Sequence, residues 1–212
     1  MTTQGHAGVD VVVLAGGRST RFGADKLAVV LDRVLAGLPA QAAVVCVGPQ
    51  RPTCRAQVRW VREDPPLSGP LAAVAAGVAA GDRPIVVLAG GDMPRMGAAL
   101  DALVAALEAA GGHHGVDAGP GDAGPVDGAV LLDRDGRVQL LASAWHRPAL
   151  VAQLADIAAG VPAGHAPGAP KTAAGSGLGG VPLRLLAQGT RLVEVEDLWD
   201  ASRDVDTPAD LA

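Results

Sequence analysis

Along the first half of this chain the apolar residues come in short unbroken runs rather than in alternation with polar ones. Residues 9–15, VDVVVLA, are β-branched or apolar almost throughout, which is how a strand buried on both faces reads. Runs of the same kind recur at 42–48 (AAVVCVG) and 83–91 (RPIVVLAGG). Between them the character changes: residues 26–38, the Ala-rich 69–80 and 97–110 read as helices. In the last of these, Leu100, Leu103, Val104 and Leu107 recur at i, i+3, i+4 and i+7. Continuous apolar strands alternating with helices predict βαβ units, and hence an α/β fold of three layers, α/β/α, around a mostly parallel sheet. In such sheets ligands bind beyond the carboxyl ends of the strands.

The second half is less regular. Residues 111–128 are rich in Gly, Pro and Asp and read as a surface loop, and 129–141 reads as a hairpin turning at Asp135-Gly136. Residues 145–159 look helical, and 160–180 have the makeup of a mobile segment, a lid or plain disorder. Residues 191–195 predict one more strand. Residues 206–211 predict the start of a helix, with Thr207 as N-cap and Pro208 at its first position.

Composition narrows the function classes. With 212 residues, 49% of them hydrophobic, the chain suits a single domain over 1–212. The net charge is −5 and the 15 Arg and 2 Lys are scattered, so the basic stripe of a duplex-binding protein is missing and nucleic acid is not an expected partner. Cys46 and Cys54 match neither a zinc pair nor a redox pair in spacing, which fits a reduced, cytoplasmic setting. The amino terminus has no basic start, and the apolar stretch 69–81 is too short to span a bilayer, so neither secretion nor a membrane is expected.

Candidate chemistry begins where the first strand ends. The stretch VLAGGRSTRFGADK, 13–26, has Gly16, Gly17 and Gly23 but lacks the G-x-G-x-x-G spacing of a dinucleotide fingerprint. It also lacks the G-x-x-x-x-G-K-[ST] spacing of a P-loop. What remains is a phosphate cradle in physical terms: glycines let backbone N–H groups approach an anion, and Arg18, Arg21 and Lys26 add charge at a helix amino terminus. It suits a triphosphate. A chain that writes 15 of its 17 cationic positions as Arg, yet places one of two lysines here, points to a need for a compact ammonium. The alternative is an ordinary strand-to-helix turn with solvated charges around it.

LAGGRSTRFGADK resembles the signature of the MobA-like nucleotidyltransferases, the molybdenum cofactor guanylyltransferases and their relatives. The resemblance continues through 62–78 (REDPPLSGPLAAVAAGV), 86–96 (VVLAGGDMPRM), 138–150 (VQLLASAWHRPAL) and 203–211 (RDVDTPADL). It implies a fold like the nucleotide-diphospho-sugar transferases, which is Rossmann-like, with 9–110 as a nucleotide-binding half and 111–212 as an acceptor-binding half. It implies transfer of GMP from GTP to a phosphorylated acceptor, molybdopterin first among them, with release of pyrophosphate. Such a reaction rests on in-line positioning and charge neutralisation rather than on a covalent step.

The site residues follow from the same blocks. Arg21 and Lys26 would neutralise the triphosphate. By resemblance Asp92, at the end of a buried strand, is a Mg²⁺ ligand and Asp206 the second, although each also suits a helix cap. Mg²⁺ needs only one or two protein carboxylates. Leu14, Ala15, Gly16, Gly17, Arg18, Gly23, Gly69, Pro70 and Leu71 would hold the nucleotide. Asp64 would accept hydrogen bonds from the base or cap the helix near Gly69. Asp204, pointing to the same side as Asp206 with Val205 turned to the core, would meet the acceptor together with Trp145 and Arg184; His146, Arg147 and Lys171 are further candidates. Most of the acidic residues between 194 and 210, and His113-His114, read as solvated surface.

Several features depart from the family pattern. The stretch after Lys26 is short, Gly91 stands where cysteine is common, and Asp204-Val205-Asp206 replaces the Asn-x-Asn of many guanylyltransferases. Three readings therefore stay open beside the first: a CTP-dependent cytidylyltransferase, transfer to a sugar or lactyl phosphate, and a non-catalytic nucleotide-binding module.

Overall fold

The computed structural model describes residues 6–16, 26–111, 125–160 and 177–205. In chain order these form β1 (Val9–Leu14), α1 (Lys26–Gly37), β2 (Ala43–Val47), β3 (Val58–Val61), α2 (Pro70–Ala79), β4 (Ile85–Gly90), α3 (Met96–Gly111), β5 (Gly128–Leu132), β6 (Val138–His146), α4 (Arg147–Ala158), a short 3₁₀ helix (Leu183–Ala187) and β7 (Leu192–Glu196). The strands make one sheet in the order β3-β2-β1-β4-β6-β5-β7. Among these strands β6 alone runs against the others.

The three layers follow from the period-two alternation of strand side chains. In β1, Val9, Val11 and Val13 face one way and join Val30, Leu31 and Val34 of α1 and Leu100, Leu103 and Leu107 of α3 in one buried cluster. Val12 faces the other way and packs with Leu71 and Val74 of α2 and Leu150 and Leu154 of α4. A strand with helices on both faces has no wet side, which is why its sequence is unbroken in hydrophobicity.

The topology sets where a ligand can sit. From β1 the chain steps through α1 to β2 on one side, whereas β3 returns through α2, on the opposite face, to place β4 on the other side of β1. The order reverses between β1 and β4, and the crevice outside the carboxyl ends of that strand pair is the position such sheets use for ligands.

The structure differs from the sequence reading in a few places. VRWV forms edge strand β3, which four residues between polar neighbours do not announce. The helix expected over 145–159 starts at Arg147, because Trp145 and His146 still pair with Val86 and Ile85 in β6. The hairpin does turn through Asp133–Arg137, with Gly136 at φ 74°. The expected helix at 206–211 lies outside the described residues, as does most of 160–180. Among the described residues no helix is long and apolar enough to cross a membrane.

Candidate functional site

At the carboxyl edge of the sheet, backbone hydrogen bonds join neighbouring strand ends into a rim. Ala15 N–H donates to Val47 C=O at 2.9 Å, Gly48 N–H to Val61 C=O at 2.9 Å, and Gly91 N–H to Leu14 C=O at 3.0 Å. The fit is tight. A Cβ on Gly91 would stand 2.8 Å from the Leu14 carbonyl oxygen and 3.1 Å from Leu27 Cδ2, so the second residue of α1 reaches the turn after β4. Gly48, at φ 148°, lies so close to Ala15 that a Cβ would come within 2.6 Å of its carbonyl oxygen. The cysteine common in the family at position 91 would not fit this rim without backbone movement.

Leu14 is partly buried, Ala15 is buried and Gly16 is exposed, so the chain emerges from the core at Gly16. Helix α1 is described from Lys26 onward. Gly17, Arg18, Arg21, Gly23 and the Lys26 side chain lie outside what the structure describes.

Asp92 lies in the turn just after β4, one residue beyond Gly91 on the same rim, and is half-buried. Its Oδ1 lies 2.8 Å from where a Cβ on Gly90 would be, so the carboxylate folds back over a position that only hydrogen leaves open. Across from it comes the carboxyl-terminal segment. Val205 N–H donates to Asp92 C=O at 3.0 Å, and the Val205 side chain is buried while Asp204 is exposed. The next residue, Asp206, lies outside the described part.

A buried carboxylate shapes that segment. Asp197 accepts the N–H groups of Trp199 (3.2 Å), Ala201 (2.9 Å) and Ser202 (2.8 Å) and the Ser202 hydroxyl (2.7 Å). Burial by itself raises the Asp197 pKa, but the donors of Ser202, Ala201 and Trp199 outweigh it and hold the carboxyl below its ordinary value. Asp200, at φ 52°, pairs with Arg134 at 2.8 Å and Arg95 at 3.3 Å. Among the described acids Glu194, Glu196 and Asp204 are exposed, as expected of most of this run, while Asp197 and Asp200 are the exceptions, one turned onto its own backbone and the other onto two arginines.

In the Gly-Pro-Leu block, α2 has Gly69 as N-cap with no side-chain cap bond and Pro70 at its first position, so Asp64, which is exposed, is not the cap. Leu71 is wholly buried and its side chain serves the core. The chain after the undescribed stretch returns to this block: Gly180 N–H donates to Ser68 C=O at 2.7 Å, and Arg184 is exposed in the 3₁₀ helix that follows. Ser68 and Gly180 had no sequence signal.

Three candidates are placed elsewhere. Trp145 is fully buried, pairs with Val86 near the amino end of β4 and donates its Nε1–H to Ser143 Oγ at 2.8 Å. It is a core residue, with no face open to an acceptor. His146 and Arg147 follow it to the amino edge, opposite the rim. There Arg147 donates to the carbonyls of Arg83 and Val78 and to the carboxylate of Asp10, which is 2% exposed and also accepts the Arg83 N–H at 3.0 Å. These cations close strand ends around a buried charge.

Among the described residues no group of three or more His, Cys, Asp or Glu stands together to hold a metal. A hard cation such as Mg²⁺ takes oxygen donors and needs one or two carboxylates. Asp92, with the chain leading to Asp206 tied to its carbonyl, fits that requirement. Both cysteines are free; Cys46 is buried, and burial, only partly offset by Arg55, pushes its thiol up to about 12.

The sequence profile of the MobA-like NTP transferase domain matches residues 11–166. The chain belongs to that family. It is accordingly a nucleotidyltransferase by family, and its sheet has the fold of the nucleotide-diphospho-sugar transferases. Among solved structures, molybdopterin-guanine dinucleotide biosynthesis protein A from Archaeoglobus fulgidus is 18% identical with a TM-score of 0.59, covering 95% of this chain and 94% of that one. The homologue of Mycobacterium tuberculosis Rv0371c from Mycobacterium sp. strain JC1 is 20% identical with a TM-score of 0.57, covering 97% and 94%. The 2-C-methyl-D-erythritol 4-phosphate cytidylyltransferase from Thermus thermophilus is 19% identical with a TM-score of 0.56, covering 95% and 94%. No curated protein matches the chain. In this MobA-like chain the family match ends before the segment that reaches Asp92.

Proposed function

We propose that the chain is a cytoplasmic, Mg²⁺-dependent transferase that moves GMP from GTP to a phosphorylated acceptor and releases pyrophosphate. The acceptor we favour is molybdopterin bearing molybdate. The observation that carries the reading is the hydrogen bond from Val205 to Asp92, which brings the two acidic blocks of the sequence to one point of the carboxyl rim. Residues 9–110 hold the nucleotide, through Leu14 to Arg18, Gly23 and the block at Asp64, Gly69 and Pro70, while Leu71 supports that block from the core. Residues 111–212 take the acceptor, with Asp204 and Arg184 on its path. Arg21 and Lys26 neutralise the triphosphate, while Asp92 and Asp206 hold the ion. When bound, Mg²⁺ draws off the charge that builds on the phosphates as pyrophosphate leaves.

A second reading, transfer of CMP from CTP, is favoured by Asp204-Val205-Asp206 in place of Asn-x-Asn. Thermal shifts with GTP, CTP, ATP and UTP, each with Mg²⁺, decide the base, because a ligand at 100 times its dissociation constant stabilises by about 2.7 kcal/mol. Pyrophosphate release is then scored against molybdopterin and against sugar and lactyl phosphates. Binding of a triphosphate without release in any acceptor mixture would overturn the enzymatic reading in favour of a binding module.

A further inference from the structure

The segment after β7 crosses the carboxyl rim as a bridge. It is tied at one end by Asp197 N–H to Leu132 C=O at 3.0 Å, at the end of β5, and at the other by Val205 N–H to Asp92 C=O, at the end of β4. At its middle, Asp200 takes up two guanidinium groups from different elements: Arg95, just ahead of α3, and Arg134, in the turn between β5 and β6. Asp200 is a non-glycine residue at positive φ, a conformation of higher energy that persists where surrounding contacts impose it. Here the Asp197 hydrogen bonds on both sides impose it.

The donors of this cluster are used less fully than those of two arginines elsewhere in the fold. Arg55 gives its donors to the carbonyls of Leu35, Leu38, Pro39, Ala40 and Ala42, and Arg147 gives its own to Val78, Arg83 and Asp10. Those arginines are consumed by structure. Arg95 and Arg134 meet one carboxylate between them, and their side chains are 61% and 80% exposed. Two cations share one anion, and most of the donors of two planar forks face solvent. The neighbouring Asp133 turns its carboxylate to the N–H groups of Asp135 and Arg137 and to Gln139 rather than to Arg134, so it takes none of the donors of the pair. Paired guanidinium forks with open donors match the several oxygens of a phosphate better than they match a single carboxylate.

We propose that Arg95 and Arg134, held in register by Asp200, form an oxyanion subsite that binds the phosphate of the second substrate, a phosphate monoester, beside Asp92. The assignment of that phosphate to the second substrate rests on the nucleotidyl-transfer reading above. Binding of a phosphate by the pair does not. Both arginines touch the incoming phosphate and orient it.

The test titrates inorganic phosphate into the ¹⁵N-labelled full chain at constant ionic strength and follows the arginine Nε–Hε resonances, assigned through Arg95→Lys and Arg134→Lys. Expected are saturable shifts of Arg95 and Arg134 together, larger than those of Arg55 and Arg59. Arg134→Gln, read through Arg95, weakens phosphate binding about tenfold, which is the loss of one charge-assisted contact. GTP binding stays within about twofold. Shifts no larger than at the control arginines, or equal affinity in Arg134→Gln, would overturn the subsite. Failure of GTP and CTP to bind while the phosphate shifts persist would instead overturn the nucleotidyl-transfer reading and leave the subsite standing.

Discussion

Val205 N–H donates to the backbone carbonyl of Asp92 across 3.0 Å, joining the turn after β4 to the end of the described chain. A main-chain bond of this kind sets where the residues on either side of it sit, whatever their side chains. If the acidic groups at 92 and 206 work on one polyphosphate, this bond gives them a common frame. Asp92→Asn keeps the volume and removes the charge. Pyrophosphate release with Mg²⁺ and the preferred triphosphate should fall by about 10²–10³, the scale of one lost electrostatic contact at a transition state. Full turnover in that variant would remove Asp92 from the site.

Gly90 and Gly91 should separate activity from stability. A methyl group at 90 meets Asp92 Oδ1 at 2.8 Å, and that atom can swing away, whereas a methyl group at 91 meets the Leu14 carbonyl at 2.8 Å, and that atom cannot. Gly90→Ala is expected to lower turnover more than stability. Gly91→Ala is expected to cost about 1–3 kcal/mol, the usual range for overpacking. Urea melts beside turnover measurements distinguish the two patterns.

The Asp197 turn makes stability depend on acid. Its folded pKa is lowered, so the charged form is the one that folding favours. That contribution is fully present above the unfolded value near about 4 and disappears as the pH falls through the lower folded value. Asp197→Asn replaces one accepting oxygen by an N–H₂ group and leaves a donor of Ser202 without an acceptor. It should cost about 1–3 kcal/mol at pH 7. The gap between the two proteins should narrow as both are unfolded at successively lower pH below about 4. A gap independent of pH would contradict the network.

The amino edge should matter for stability alone. Asp10→Asn leaves Arg147 facing a neutral partner inside the protein, and breaking a buried pair in this way costs about 3–5 kcal/mol. At temperatures where the variant stays folded, the KM for triphosphate should equal that of the parent. A raised KM would mean that this end of the sheet communicates with the rim.

The thiols provide a probe of the core. Cys54 is exposed and should react with a disulfide reagent in the native protein, whereas Cys46, buried in β2 and with its pKa pushed up to about 12, should react only on unfolding. Counting reactive thiols before and after adding denaturant checks it.

Much of the fold was legible because it is written in local periodicity. The unbroken runs that became β1, β2 and β4 are hydrophobic for the reason the structure displays, helices on both faces, and the i, i+3, i+4 spacing of α3 is its buried face. Edge strand β3 was not legible: it pairs with β2 alone, so burial left a weak mark on its four residues. Trp145 misled for a related reason. An aromatic beside His and Arg reads as a pocket, but whether a strand residue lies at the amino or the carboxyl end of a sheet depends on the direction of its strand, and β6 is the one that runs backwards.

By itself the sequence determined the layers and the buried strands and helices that build them, since each of these depends on neighbours within a few positions. Only the tertiary structure decided where the acids turn: that Asp197 takes the N–H groups of its own segment, that Asp200 draws Arg95 and Arg134 together, and that Val205 reaches Asp92. The last two join segments far apart in the chain, and their partners are chosen by sheet order and strand direction, which no local pattern encodes.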